Sequence, residues 1–132
     1  MTHRELIDKA LSVVRAHNNG PHMVGDVGCA LITEGGELFT GVCIDAPSGL
    51  GFCAEANAIG SMVTAGQTRI RTIVAVWCEG ADPYVLSPCG RCRQFIYQTD
   101  KANLDCQVVL DAERSVPLSE LLPYHDWFQK LD

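Results

Sequence analysis

The chain has 132 residues, 47% of them hydrophobic and 20% charged, with a formal net charge of −6. That length and composition fit one folded domain over residues 1–132 and exclude an intrinsically disordered chain. The acidic balance argues against a nucleic-acid polymer as partner, because backbone phosphates call for clustered Lys and Arg, and no apolar run approaches the roughly 20 residues that span a bilayer.

In chain order, Leu6, Ala10, Val13, Val14 and His17 recur at helical spacing behind Thr2 and Glu5, which sit as a capping box. This predicts a helix over 3–17, stopped by Asn18-Asn19-Gly20-Pro21. Residues 27–33 form an apolar run and are predicted as a buried strand, Glu34-Gly35-Gly36-Glu37 as a hairpin turn, and 38–44 as the returning strand. Residues 46–51 read as a loop and 53–65 as a helix ended by Gly66. The β-branched stretch 70–78 is predicted as a central strand, 79–88 as a loop and 90–99 as a helix. A further strand over 106–110 and a helical turn over 119–122 complete the chain. The order helix, hairpin, helix, strand, helix, strand implies an α/β fold whose mixed sheet carries helices on its faces.

Seven cysteines, an odd number, follow an N-terminus without the layout of a signal peptide. The expected address is the cytoplasm, and the thiols point to metal binding or catalysis rather than a disulfide framework. Cys29, Cys78 and Cys106 lie on apolar strands and read as small hydrophobes. None of the four histidines pairs at a metal-ligand spacing.

Three cysteines differ. Cys53 opens one predicted helix, in Cys53-Ala54-Glu55, and Cys89 and Cys92 open the other, in Pro88-Cys89-Gly90-Arg91-Cys92. Sulfurs from two helix starts can converge on a tetrahedral zinc with a fourth position left open for water, the layout of a catalytic rather than a structural site. The positive helix ends, aimed at one metal, are expected to hold all three as thiolates at neutral pH. Three thiolates leave zinc with a net negative charge, and Arg91, between two ligands, is the candidate to balance it. Glu55, two residues after Cys53, is the candidate general base and proton carrier. Two other readings stay open on the residues alone. Cys-x-x-Cys at a helix start also suits a thiol–disulfide oxidoreductase, and a fourth ligand from Cys43 or Cys29 would close the site into a non-catalytic zinc module.

At these residues the sequence resembles the cytidine deaminase superfamily. Val27-Gly28-Cys29-Ala30-Leu31 and Leu38-Phe39-Thr40-Gly41-Val42 are similar to its paired strands. Cys53-Ala54-Glu55 and Pro88-Cys89-Gly90-Arg91-Cys92-Arg93-Gln94 resemble its two zinc motifs, and Glu120-Leu121-Leu122-Pro123 its C-terminal segment. The resemblance implies a three-layer α-β-α sandwich with a five-stranded mixed sheet, assembled as a homotetramer (or a dimer). It implies a zinc-dependent hydrolytic deaminase acting on a small-molecule cytosine nucleoside, with loss of ammonia from C4. It assigns zinc to Cys53, Cys89 and Cys92, proton transfer to Glu55, and contacts with the ring and the leaving amine to Ala54 and Ser87. A C-terminal aromatic, here Trp127, would cover the base, in some members from a neighbouring subunit.

Three positions depart from the family pattern. Cys43-Ile44-Asp45 replaces the Asn-x-Glu that holds a ribose in cytidine binders, leaving Cys43 and Asp45 as the candidate sugar contacts. Ala56 replaces an Arg after Cys-Ala-Glu, and a Phe expected near Gly25 is missing. The run 86–94, with Arg91 between its cysteines, resembles the blasticidin S deaminase branch and points to a modified cytosine nucleoside. Action on a nucleobase or a purine is the alternative within the same superfamily.

Overall fold

Thr2 caps helix α1 (His3–Val13): its hydroxyl accepts the Glu5 N–H at 3.1 Å, and the Glu5 carboxylate accepts the Thr2 N–H at 2.8 Å, as the capping box predicts. The computed structural model describes the backbone of residues 1–132 and the side chains of all but Asn19. α1 ends at Val13 rather than at the expected residue 17, because Val14 is already extended and the Arg15 N–H donates to the Gly25 carbonyl at 2.8 Å. β-branched residues at the helix end favour that switch. The expected last turn becomes strand β1 (His17–Asn19), and the predicted stop signal becomes a hairpin turn into β2 (His22–Thr33).

The Thr33 N–H donates to the Glu37 carbonyl at 2.9 Å, closing the predicted turn into β3 (Leu38–Ile44). Helix α2 (Ala54–Thr64) takes Cys53 as its N-cap residue, and helix α3 (Gly90–Thr99) takes Cys89. Between them run β4 (Ile70–Glu79) and β5 (Asp82–Leu86). A 3-10 turn (Lys101–Asp105), β6 (Gln107–Val109), β7 (Ser115–Pro117) and the short α4 (Leu118–Leu121) complete the order.

The sheet has seven strands rather than the expected five, in the order β1-β2-β4-β6-β7, with β3 paired to β2 and β5 to β4. It is mixed, since β4 and β6 run parallel while the other pairs are antiparallel. β5 occupies a stretch expected to be loop. Pro83 disguises it, but a proline is tolerated in a strand that pairs on one side only. Trp77 and Tyr84, directly opposed on β4 and β5, stack with ring centres 5.5 Å apart.

Alternation along β2 separates two cores. Ala30 and Ile32 meet Leu6, Ile7 and Ala10 of α1 on one face, while Cys29 and Leu31 meet Ala58, Ile59 and Met62 of α2 and Ile96 of α3 on the other. The result is the expected α-β-α sandwich. β3 lies so close to α2 that a Cβ on Gly41 would sit 2.5 Å from the Ala58 nitrogen and 2.9 Å from the Ala54 carbonyl oxygen. That approach fixes the first turn of α2 against the sheet. The buried Asn103 side chain ties α3 to β4, accepting the Ile70 N–H at 2.8 Å and donating to the Ile96 carbonyl at 3.0 Å. Among the described residues no helix is long and apolar enough to cross a membrane.

A candidate metal centre and active-site pocket

The Sγ atoms of Cys53, Cys89 and Cys92 all lie within 4.8 Å of one another, with Cys53 and Cys89 at 4.0 Å. Zinc–sulfur bonds of about 2.3 Å at tetrahedral angles require sulfurs roughly 3.8 Å apart. The Cys53–Cys89 pair is close to that spacing, and a small contraction of the trio would seat a zinc ion. Two of the sulfurs sit on N-cap residues and face one another across the helix starts.

Without a cation between them the three thiols do not ionise together. Burial pushes Cys53 and Cys92 above the ordinary thiol value, and nearby Glu55 raises Cys92 further. Cys89 moves the other way. Burial raises it, but the Cys92 N–H, the Cys92 and Cys53 thiols and the Arg91 N–H all hydrogen-bond its sulfur and bring it below the ordinary value. Of the three only Cys89 is lowered while no cation lies between them, and a bound metal would displace the protons that remain.

Glu55 is 6% exposed, and burial lifts its carboxyl above the ordinary range, offset in part by its own backbone N–H and the Cys92 thiol. A buried acid with a raised pKa beside a metal site is suited to taking up and returning a proton. Cys53, Cys89 and Glu55 open onto a cavity of about 410 Å³, within the range of small-molecule sites, while Cys92 lies buried behind them. Cys53, Ala54, Glu55, Ser87, Cys89 and Arg91 border it at one end, and Cys43 and Asp45 reach it from β3.

Arg91 borders both this cavity and the neighbouring groove beside Ala56, and its Nη1 donates to the Gly51 carbonyl at 3.4 Å. A long side chain is thus present where Ala56 leaves space. Arg93, one residue past the last ligand, braces the pocket wall. Its Nε donates to the Pro88 carbonyl at 2.7 Å, Nη2 to the Ser87 hydroxyl at 3.0 Å and Nη1 to the Leu121 carbonyl at 3.1 Å.

Cys43 and Cys29 lie outside the sulfur cluster. Cys29 is fully buried in the core beneath α2. Trp127 is 72% exposed, packs edge-on against Phe128 and does not line the cavity of its own chain. The segment before it is tied to α3, where the Tyr97 hydroxyl donates to Asp126 at 2.9 Å.

Sequence reasoning missed Asp26, which also lines the cavity. Between the pairs Val24–Ile44 and Gly28–Val42, β2 has three residues where β3 has one, Cys43. Gly25 opens this bulge at φ +77°, where a Cβ would collide with the Arg15 carbonyl. Cys43 fills the gap, its Sγ accepting the Val27 N–H at 3.4 Å and donating to Asp26 Oδ1 at 3.0 Å. A carboxylate interrupting the apolar run 23–32 is the one signal visible in the sequence.

Comparison with known proteins agrees with this geometry. The family model for the cytidine and deoxycytidylate deaminase zinc-binding region matches residues 1–107. Blasticidin-S deaminase of Bacillus cereus is 41% identical over 106 residues, 74% of this chain and 74% of that protein. The crystal structure of cytidine deaminase from Burkholderia pseudomallei superposes with a TM-score of 0.74 at 32% identity, over 94% of this chain and 98% of that one. The cytidine deaminase structure from Mycobacterium leprae has a TM-score of 0.75 at 25% identity, over 93% of this chain and 98% of that one.

Proposed function

The chain belongs to the cytidine deaminase superfamily and is a hydrolase of C–N bonds in cyclic amidines, and from that premise we propose that it converts a cytosine nucleoside, plain or modified, to its uracil analogue with release of ammonia. The observation that carries the proposal is a cluster of three sulfurs, two of which, Cys53 and Cys89, open together with the buried Glu55 carboxyl onto a single cavity. Cys53, Cys89 and Cys92 would hold the zinc, which when bound would supply an activated water as nucleophile.

The chain's own residues do the rest. Glu55 takes the two protons of the attacking water in turn, passing one to the ring nitrogen and the other to the amine, which leaves as ammonia. Burial raises its pKa, which favours the proton-carrying form relative to an exposed glutamate. Ala54 and Ser87 border the ring and the leaving amine, with Ser87 braced by Arg93. Arg91 offsets the negative charge of three thiolates. Cys43 and Asp45 face the sugar. A base for proton transfer has no task in thiol–disulfide exchange or in a closed zinc module, which weighs against both.

Assembly as a homotetramer or dimer belongs to the same proposal, with Trp127 reaching a neighbouring copy. Exposed Val63, Phe95, Tyr124, Trp127 and Phe128 provide apolar surface for it, and a single-chain mass by light scattering would count against it. Seven unpaired thiols suit a reducing compartment such as the cytoplasm.

Ammonia release from cytidine, deoxycytidine, blasticidin S, cytosine and guanine tests the reading, with Glu55→Gln as the control. Turnover is expected on at least one nucleoside, and the variant should keep its zinc while losing about 10²–10⁴-fold in kcat. Activity confined to guanine or to free cytosine would move the assignment to the purine or nucleobase branch. A fully active Glu55→Gln would remove Glu55 from the chemistry.

A further inference from the structure

We propose that Asp26 determines specificity on the sugar side of the pocket: it accepts a hydrogen bond from a hydroxyl of an uncharged nucleoside and turns away the corresponding 5′-phosphate. This rests on reading the cavity as a cytosine nucleoside site. The reacting carbon has to lie by Glu55 and the three sulfurs. The remainder of the molecule is then directed toward the wall contributed by β2 and β3, where Asp26, Val27, Cys43 and Asp45 line the same cavity.

The bulge in β2 aims Asp26 there. Three residues of β2 oppose Cys43 alone, and the Cys43 thiol occupies only one oxygen of the carboxylate, at 3.0 Å. An ionised carboxylate accepts up to about four hydrogen bonds and donates none, so its remaining capacity calls for a donor on the ligand. Cys43 is itself held by the Val27 N–H, which fixes the pair as a unit. Asp45 is a second acceptor on that wall, and the single basic residue lining the cavity, Arg91, lies at the start of α3 and donates to the Gly51 carbonyl. A sugar hydroxyl meets acceptors it can satisfy. A phosphate, with a charge of about −1.5 to −2 at neutral pH, meets two carboxylates and no lysine.

Asp26→Asn keeps the size and removes the charge. The steady-state constants of wild type and variant are to be compared on cytidine, free cytosine and cytidine 5′-monophosphate, alongside zinc content and Tm. The expected result is a loss of about 10–100-fold in kcat/KM for cytidine, carried by KM, the scale of one hydrogen bond to a charged group. Free cytosine should change by less than about 2-fold, and the preference for nucleoside over monophosphate should narrow by about 10-fold or more. Equal losses on cytidine and cytosine, or an unchanged preference, would overturn the role of Asp26 and leave the nucleoside reading intact. A wild-type protein inactive on all three would overturn this proposal, and the nucleoside reading would fall with it if deoxycytidine and blasticidin S were inert as well. If the variant does not fold, the wild type still decides. Raising salt from about 20 mM to 500 mM should increase kcat/KM for the monophosphate several-fold relative to cytidine by screening the repulsion, and no relative change would overturn the proposal.

Discussion

Asp100 accepts the Ala102 N–H at 2.9 Å and the Thr68 hydroxyl at 2.8 Å, joining the end of α3 to the approach of β4. These two bonds, the Ala102 N–H first, hold its carboxyl below the ordinary aspartate value. The contribution belongs to the charged form. It is fully present above the ordinary aspartate pKa and is lost as pH falls through the lowered one. Asp100→Ala is therefore expected to cost about 1 kcal/mol near neutral pH, as capping residues do. The gap to wild type should narrow as pH falls below the ordinary aspartate value, which urea midpoints at neutral and at acidic pH would check. At this scale the clustering of Cys53, Cys89 and Cys92 and the placing of Glu55 beside them were legible because their signal is local: a thiol at a helix start, a second three residues on, an acid in a first turn. Asp26 was not legible, because the pairing of β3 against Gly25-Asp26-Val27 turns it toward the cavity.

The two helices that carry the centre were read within a residue of their ends, since each opens on a cysteine and has a clear terminator at Gly66 or Asp100. The last turn expected for α1 and the strands β1 and β5 were misread for one shared reason. Segments of three and five residues with polar, Pro or Asn content have little periodicity of their own and become strands only when β2 and β4 supply the partners. The contact between α2 and β3 depends on the missing side chain of Gly41. Gly41→Ala is expected to destabilise the protein by about 1–3 kcal/mol, as overpacking does, and to lower Tm by several degrees. Because the displaced element bears Cys53 and Glu55, the kcat/KM of the folded fraction should fall as well. An unchanged Tm would mean that β3 and α2 are not in tight contact.

Across the whole molecule, the alternation of helices with strands made the three layers legible, with α1 on one face and the site-bearing helices on the other. The fate of the C-terminal aromatics was not legible. Tyr97–Asp126 and Gln94–His125 fasten the tail to α3 and leave Trp127 and Phe128 outward, so their role depends on what a second copy brings. The metal has a whole-molecule consequence too. Ligands that bind only the folded state stabilise it by mass action, and here the ion would relieve three crowded sulfurs at the junction of α2 and α3.

Metal analysis of the purified chain, set against Cys53→Ser, Cys89→Ser and Cys92→Ser, tests that centre most directly. The account predicts one equivalent of zinc per chain in the wild type, sharply reduced in each variant together with activity. A wild-type protein that releases ammonia from cytidine while holding no zinc, or variants that retain the metal in full, would contradict it.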